Sequence, residues 1–250
     1  MNEIKFETDK KDVIIHTPSE WNELTRTQLI FVAPRVMLAN KSRRLRSEIL
    51  FHFIGFKIPN LSEMNLSQLT GLFPAVDWLW KSPELTKNLL PKFKIDNVEF
   101  FGPEDELKDI TVSQFAFADK FMSMFMKKKE EEYLDLLIGT LYHNGKKFFK
   151  EYIESNAEII HKLPLDERLA ILAFYIGSRN KIARDNPDIF KKQNKIKRNR
   201  SGWLGFFYEL AGPKTGTYKQ VADMNFFEML GIMRKINDDA YEAEKRNKRR

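Results

Sequence analysis

Few residues in this 250-residue chain have types and spacing suited to chemistry. The four histidines are His16, His52, His143 and His161. No two have the i, i+4 spacing that places a pair of imidazoles on one helix face for zinc, and none has a nearby Asp or Glu arrangement typical of a site. They read as ordinary surface or satisfied histidines. There is no cysteine, which removes thiolate nucleophiles, disulfides, zinc ribbons and iron–sulfur ligation and fits a reducing compartment. Ala211–Thr217 carries two glycines and a Lys-Thr pair and superficially suggests a phosphate loop. It lacks the Gly-x-x-x-x-Gly-Lys-[Ser/Thr] order, Pro213 removes an amide the cradle would use, and the segment follows a helix. A turn joining two helices is expected there. The acids are scattered: Glu130-Glu131-Glu132 after Lys127-Lys128-Lys129 reads as a cationic helix end followed by an anionic helix start, each matching its dipole. Asp238-Asp239 belongs to a charged helix face. No catalytic residue, metal ligand or cofactor emerges, and a non-enzymatic protein is the expectation.

Two basic runs remain. Lys191 to Arg200 holds six cations (Lys191, Lys192, Lys195, Lys197, Arg198 and Arg200) and no acid, and Lys245 to Arg250 holds five more. Together they carry +11 of a net +7, so the rest of the chain sums to −4. A uniformly basic nucleic-acid-binding domain would look different. The first run suits a solvated loop, or a contact for polyanions such as nucleic acid or for an acidic partner. No aromatic interleaves with it to stack bases. The 21 phenylalanines cluster with methionine, as in Phe121-Met122-Ser123-Met124-Phe125-Met126. That pattern suits a packed helical core; alternatively Phe121, Met122, Phe125 and Met126 form an adaptable apolar surface for a partner.

The elements that must position these residues are announced by a recurring helix start. Leu24-Thr25-Arg26-Thr27-Gln28-Leu29 has a capping hydroxyl, a Gln three residues on, and flanking apolar residues. That is a capping box with a hydrophobic staple. The pattern recurs at Asn65, Thr111 and Asn225, the last with Glu228 in place of Gln. Apolar residues at helical spacing follow: Leu29, Val32, Val36 and Met37, with Pro34 kinking or shortening that helix; Leu45, Ile49, Phe53 and Ile54, closed by Gly55; Leu134, Leu137, Ile138 and Leu141; and Leu165 to Ser178 behind Pro164. A last helix runs from Asn225 towards Lys245. Two hairpins are expected, at Ile4–Glu7 with Val13–Ile15 and at Phe93–Ile95 with Val98–Phe100. The fold class is thus mainly α, a multi-helix globular bundle with one or two short β-hairpins. Along the chain the expected parts are a hairpin at 1–20, helices at 21–82, a connector with a short hairpin at 83–110, the main helical part at 111–244, and a basic disordered tail at 245–250. No signal peptide is apparent. The apolar stretch Phe115 to Met126 is broken by Asp119 and Lys120 and falls short of the ~18 apolar residues a span needs, so a soluble intracellular protein is expected.

Four segments occur in a telling order: Trp21-Asn22-Glu23-Leu24-Thr25-Arg26-Thr27-Gln28-Leu29; Leu163-Pro164 leading to Phe174-Tyr175-Ile176-Gly177-Ser178-Arg179 and Asn186-Pro187-Asp188-Ile189-Phe190; Trp203-Leu204-Gly205-Phe206-Phe207-Tyr208-Glu209-Leu210-Ala211-Gly212; and Gly216-Thr217-Tyr218 before the final helix. In this order the chain resembles a family of uncharacterised proteins encoded by tailed bacteriophages and prophages of Bacteroidota. The resemblance implies a non-enzymatic role in building a phage particle, in tail assembly or as a virion structural component. It further implies a place in the host cytoplasm or the virion, other phage structural or tail proteins as partners, and scope for homo-oligomers, with no membrane. The implied mechanism is the holding of an aggregation-prone partner, such as a long tape-measure helix, on an apolar groove.

Overall fold

A computed structural model describes residues 1–7, 12–54, 66–145, 148–190, 203, 207, 210–213 and 215–248. The chain is mainly helical with two short antiparallel hairpins, as the periodicity predicts. It groups into two compact units, Met1–Leu90 with Pro164–Ser178 and Pro91–Leu163 with Arg179–Arg250. Each unit is built from two separate segments of the chain.

In the first unit, β1 (Asn2–Glu7) pairs antiparallel with β2 (Asp12–Thr17). A 3₁₀ turn at Trp21–Glu23 leads to α1 (Arg26–Met37). Thr25 caps α1 as expected: its hydroxyl accepts from the Gln28 amide at 3.3 Å, and the Gln28 carbonyl oxygen of the side chain accepts from the Thr25 amide at 2.9 Å. The helix passes through Pro34 and ends one turn later, where the Leu38 amide closes on the Pro34 carbonyl. Then come α2 (Arg43–Ile54), α3 (Leu66–Gly71) and α4 (Pro74–Asp77). The expected stop at Gly55 and the cap at Asn65 lie outside the described residues. Leu29, Val32, Ile49, Leu50, Ile54, Val76 and Leu79 are buried, and this apolar centre is what the helical spacing of α1 and α2 builds.

Asn22 fastens the loop that closes this unit. Its side-chain oxygen accepts from the Thr86 amide at 2.8 Å and its amide donates to the Glu84 carbonyl at 3.2 Å. The loop then meets α8 (Leu165–Asp185) at Gly177, where an added Cβ would lie 2.2 Å from the Leu85 carbonyl oxygen. Only glycine allows that approach of two backbones. The helix α8 runs seven residues past the expected end at Ser178. The polar run Ser178-Arg179-Asn180-Lys181 resembles a helix end, but Ile182 behind it is buried and Asn186 bonds back to the Ile182 carbonyl at 2.7 Å.

A testable pH dependence arises at α1 and α2. The ring of His52 stacks on Phe31 at 3.8 Å, and the Arg35 guanidinium sits 3.7 Å from the Phe31 ring centre. Burial, then the Arg35 charge, push the His52 pKa below its ordinary value. The folded state thus favours neutral imidazole. This contribution is present above the unfolded pKa of about 6.5 and is lost as pH falls through the lowered folded value. Acidification from pH 7.5 to 5 is therefore expected to lower the Tm of the wild type more than that of His52→Gln, as thermal unfolding at each pH will show. Equal slopes would refute it.

In the second unit, β3 (Lys92–Ile95) and β4 (Val98–Phe101) turn through Asp96-Asn97, both with positive φ (48° and 68°), the two-residue geometry that matches strand twist. Thr111 caps α5 (Val112–Lys128), and Lys129 closes it in a left-handed conformation before α6 (Glu131–Leu141) begins with its acids. The helix α7 (Ile153–Ile160) packs closely on α6. A Cβ on Gly139 would come within 2.8 Å of the Ile153 carbonyl. After α9 (Tyr218–Asp223), α10 (Phe226–Lys248) completes the unit. The tail expected to be disordered from Lys245 is helical through Lys248; Glu, Lys and Arg are good helix formers and terminal cations suit the dipole. The core is aromatic. Phe115 lies against Phe226, Trp203 and Phe190, and all four are buried.

Candidate partner-binding cleft

Two caps and a bridge build one end of the second unit. Thr111 accepts from the Gln114 amide at 3.2 Å, and Gln114 returns the bond to the Thr111 amide at 3.0 Å. Gln114 is buried, and its side-chain amide donates onward to the Thr140 carbonyl at 3.2 Å, tying the first turn of α5 to the last turn of α6. Residues 110–112 pair with 224–226: the Val112 amide donates to Met224 and the Phe226 amide to Ile110, both at 2.9 Å. Asn225 therefore starts α10 as expected, its side-chain oxygen accepting from the Phe227 amide at 2.8 Å and the Glu228 amide at 3.3 Å. A further cap was not expected. Thr217 and Gln220 make the same reciprocal box at the start of α9. The preceding Gly212–Gly216 segment is a tight turn closed by paired backbone bonds of 2.9 and 2.7 Å, with Gly216 at φ +90°. It is a turn, as its residues predict.

Between these pieces lies a cleft of about 1060 Å³. Ile110, Gln114 and Phe117 line it from α5 and its cap, Leu141 and His143 from the end of α6, Phe148 and Phe149 from the following loop, and Tyr218 and Ala222 from α9. Phe149 is 53% exposed and Tyr218 is 40% exposed, so two large rings stand at the rim in water. Phe101 is also exposed; it is bridged to His143, the two exchanging backbone bonds at 2.9 and 3.1 Å. The ionisable lining comprises Asp109, His143, Lys150, Glu151, Lys219 and Asp223. Asp109 accepts from the Glu104 amide at 2.8 Å, and the His143 ring bonds the Gly145 carbonyl. The bonds of these two serve the backbone, whereas Lys150 pairs with Glu151 at 4.0 Å and the exposed Lys219 and Asp223 set charge beside the rings that line the cleft.

Of the apolar surface expected on α5, the structure brings only part to this cleft. Phe121 stacks on the lining residue Phe117 at 6.3 Å and extends its ring row by one turn. Met122 is half-buried and Met126 is 48% exposed. Phe125 is buried in the core and so is not part of an accessible surface. Lys191, Lys192, Lys195, Lys197, Arg198 and Arg200 lie outside the described residues. Phe148, Phe149 and Tyr218 were not singled out by sequence reasoning. The available signal was an unshielded Phe-Phe pair flanked by Lys146, Lys147 and Lys150, with no helical period to bury it.

One histidine does find a carboxylate. Nδ1 of His161 lies 2.8 Å from Asp135, which is buried on α6 and 26 residues away in sequence. His161 is thus an exposed histidine whose hydrogen-bond partner is remote in sequence. Among the described residues no group of three His, Asp or Glu side chains could hold a metal ion, and no helix is long and apolar enough to cross a membrane. No family model, curated protein or solved structure matches the chain.

Proposed function

We propose that this chain is a non-enzymatic bacteriophage morphogenesis protein, acting in tail assembly or as a virion component through protein–protein binding. The observation that carries the reading is the cleft with water-exposed aromatic rings at its rim. Rigid rings are the side chains that most often anchor an interface, because they bury much apolar area while losing few rotatable bonds. With side chains an α-helix is about 10–12 Å across, so the cleft volume admits roughly two turns of one. An apolar-faced helix of a tail protein, held until it is assembled, fits that size and chemistry. The order of segments by which the sequence resembles the phage family is in keeping with the same role, in the host cytoplasm or the virion.

The test is co-expression with the neighbouring tail proteins. The wild type is expected to co-purify with one of them. Phe149→Ser combined with Tyr218→Ser should weaken binding by roughly several hundredfold, since truncating aromatic anchors removes roughly 2 kcal/mol each. Leu38→Ser, at a residue of the first unit that is 51% exposed, should leave it unchanged. Full retention by the rim variant would reject the cleft as the binding site.

A further inference from the structure

We propose that the corner where α1 passes to α2 binds the phosphate backbone of duplex nucleic acid. Between Arg35 and Ser47 the chain has five cations (Arg35, Lys41, Arg43, Arg44 and Arg46) and no acid. Folding brings two carboxylates to them. Glu48 is shared by Arg44 at 3.0 Å and Arg35 at 3.9 Å, and Asp77 by Lys41 at 3.0 Å and Arg46 at 3.4 Å. Five cations against two carboxylates leave a formal +3. Arg43 is exposed without an ion-pair partner among the described residues, and the Arg44 side chain is 90% exposed.

Three features select the ligand. Arg43, Arg44 and Arg46 occupy the first turn of α2, which has no acid. Cations there oppose the helix dipole, so the helix itself is better served by other residues and gains nothing from them. The site uses these guanidinium groups, not the helix amides. Secondly, four of the five cations are Arg, whose planar fork matches phosphate oxygens in pairs. Thirdly, the two exposed arginines of α2, Arg43 and Arg44, leave the helix about 100° apart. They diverge from any one small anion and suit charges strung along a backbone. The rings that these cations touch are already covered: Phe31 by His52 and Arg35, Phe73 by Arg46 at 4.4 Å, and Trp80 by Lys41 at 5.5 Å. Base stacking is thus not the recognition mode, which favours a duplex over a single strand. The inference is independent of the partner-binding cleft.

The test is fluorescence anisotropy of a labelled 20-base-pair DNA with the full chain, as salt rises from 0.05 to 0.2 M. Arg43→Gln with Arg44→Gln should reduce the slope of log affinity against log salt by about 2, because each lost phosphate contact removes about 0.9. Neutralising Lys195, Lys197, Arg198 and Arg200 instead should leave that decrement intact when the two sets are combined. Glu48→Gln should tighten binding, a gain that misfolding cannot mimic. An unchanged slope in the arginine variant, no binding by the wild type at 0.05 M salt, or equal binding of poly-glutamate would each overturn the proposal.

Discussion

Phe115→Ala is expected to destabilise the second unit by about 4 kcal/mol, within the range for deleting a fully buried ring. Phe115 has no exposed surface. Its ring stacks on Phe226 at 3.9 Å with planes 12° apart, and meets Trp203 edge-on at 5.3 Å and Phe190 at 6.3 Å. Those partners come from α10 and from other segments remote in sequence, so the ring joins parts of the unit that are distant along the chain. Its removal forfeits the transfer free energy of the ring and leaves a void that three rigid aromatics cannot collapse to fill. Urea unfolding monitored by circular dichroism will give the shift in midpoint. Phe149→Ala, which removes an exposed ring, should stay within about 0.5 kcal/mol of wild type.

The second large effect is expected at Asp119. Its carboxylate is 7% exposed and accepts from Nε of Arg179, whose side chain is 18% exposed. Asp119→Leu leaves the guanidinium without that carboxylate in a largely dry setting, and a loss of about 3 kcal/mol is expected. Arg179→Met alone should be comparably damaging. The double variant Asp119→Leu with Arg179→Met should recover most of the loss, because two apolar side chains avoid the desolvation of both charges. Three unfolding curves decide the point. Additive losses in the double variant would mean that the pair is not coupled.

These residues show what local sequence reveals. The caps at Thr25 and Thr111 are legible because a capping box is complete within four residues. Thr217 has the same four-residue form but sits after a glycine-rich turn, and the turn claims attention. Asp119 reads in the sequence only as an interruption of an apolar run. Its meaning depends on Arg179, 60 residues on. The cleft is harder still. Phe149 and Tyr218 become rim residues only because a loop and a helix about 70 residues apart in sequence converge on the cap of α5. The arginine corner is equally quiet in the sequence, where its cations are divided between two helices and denser runs lie elsewhere. Net charge counts density along the chain, whereas a surface is assembled from separate elements.

The most direct test of the proposed function is photo-cross-linking from inside the cleft. A benzophenone amino acid placed at position 149, with a control at position 38, can be irradiated while the chain is co-expressed with the tail proteins. The account predicts a cross-link from position 149 to an apolar helical segment of one tail protein, with none from position 38. Cross-links from position 38 alone, or none from position 149 while the complex forms, would contradict it.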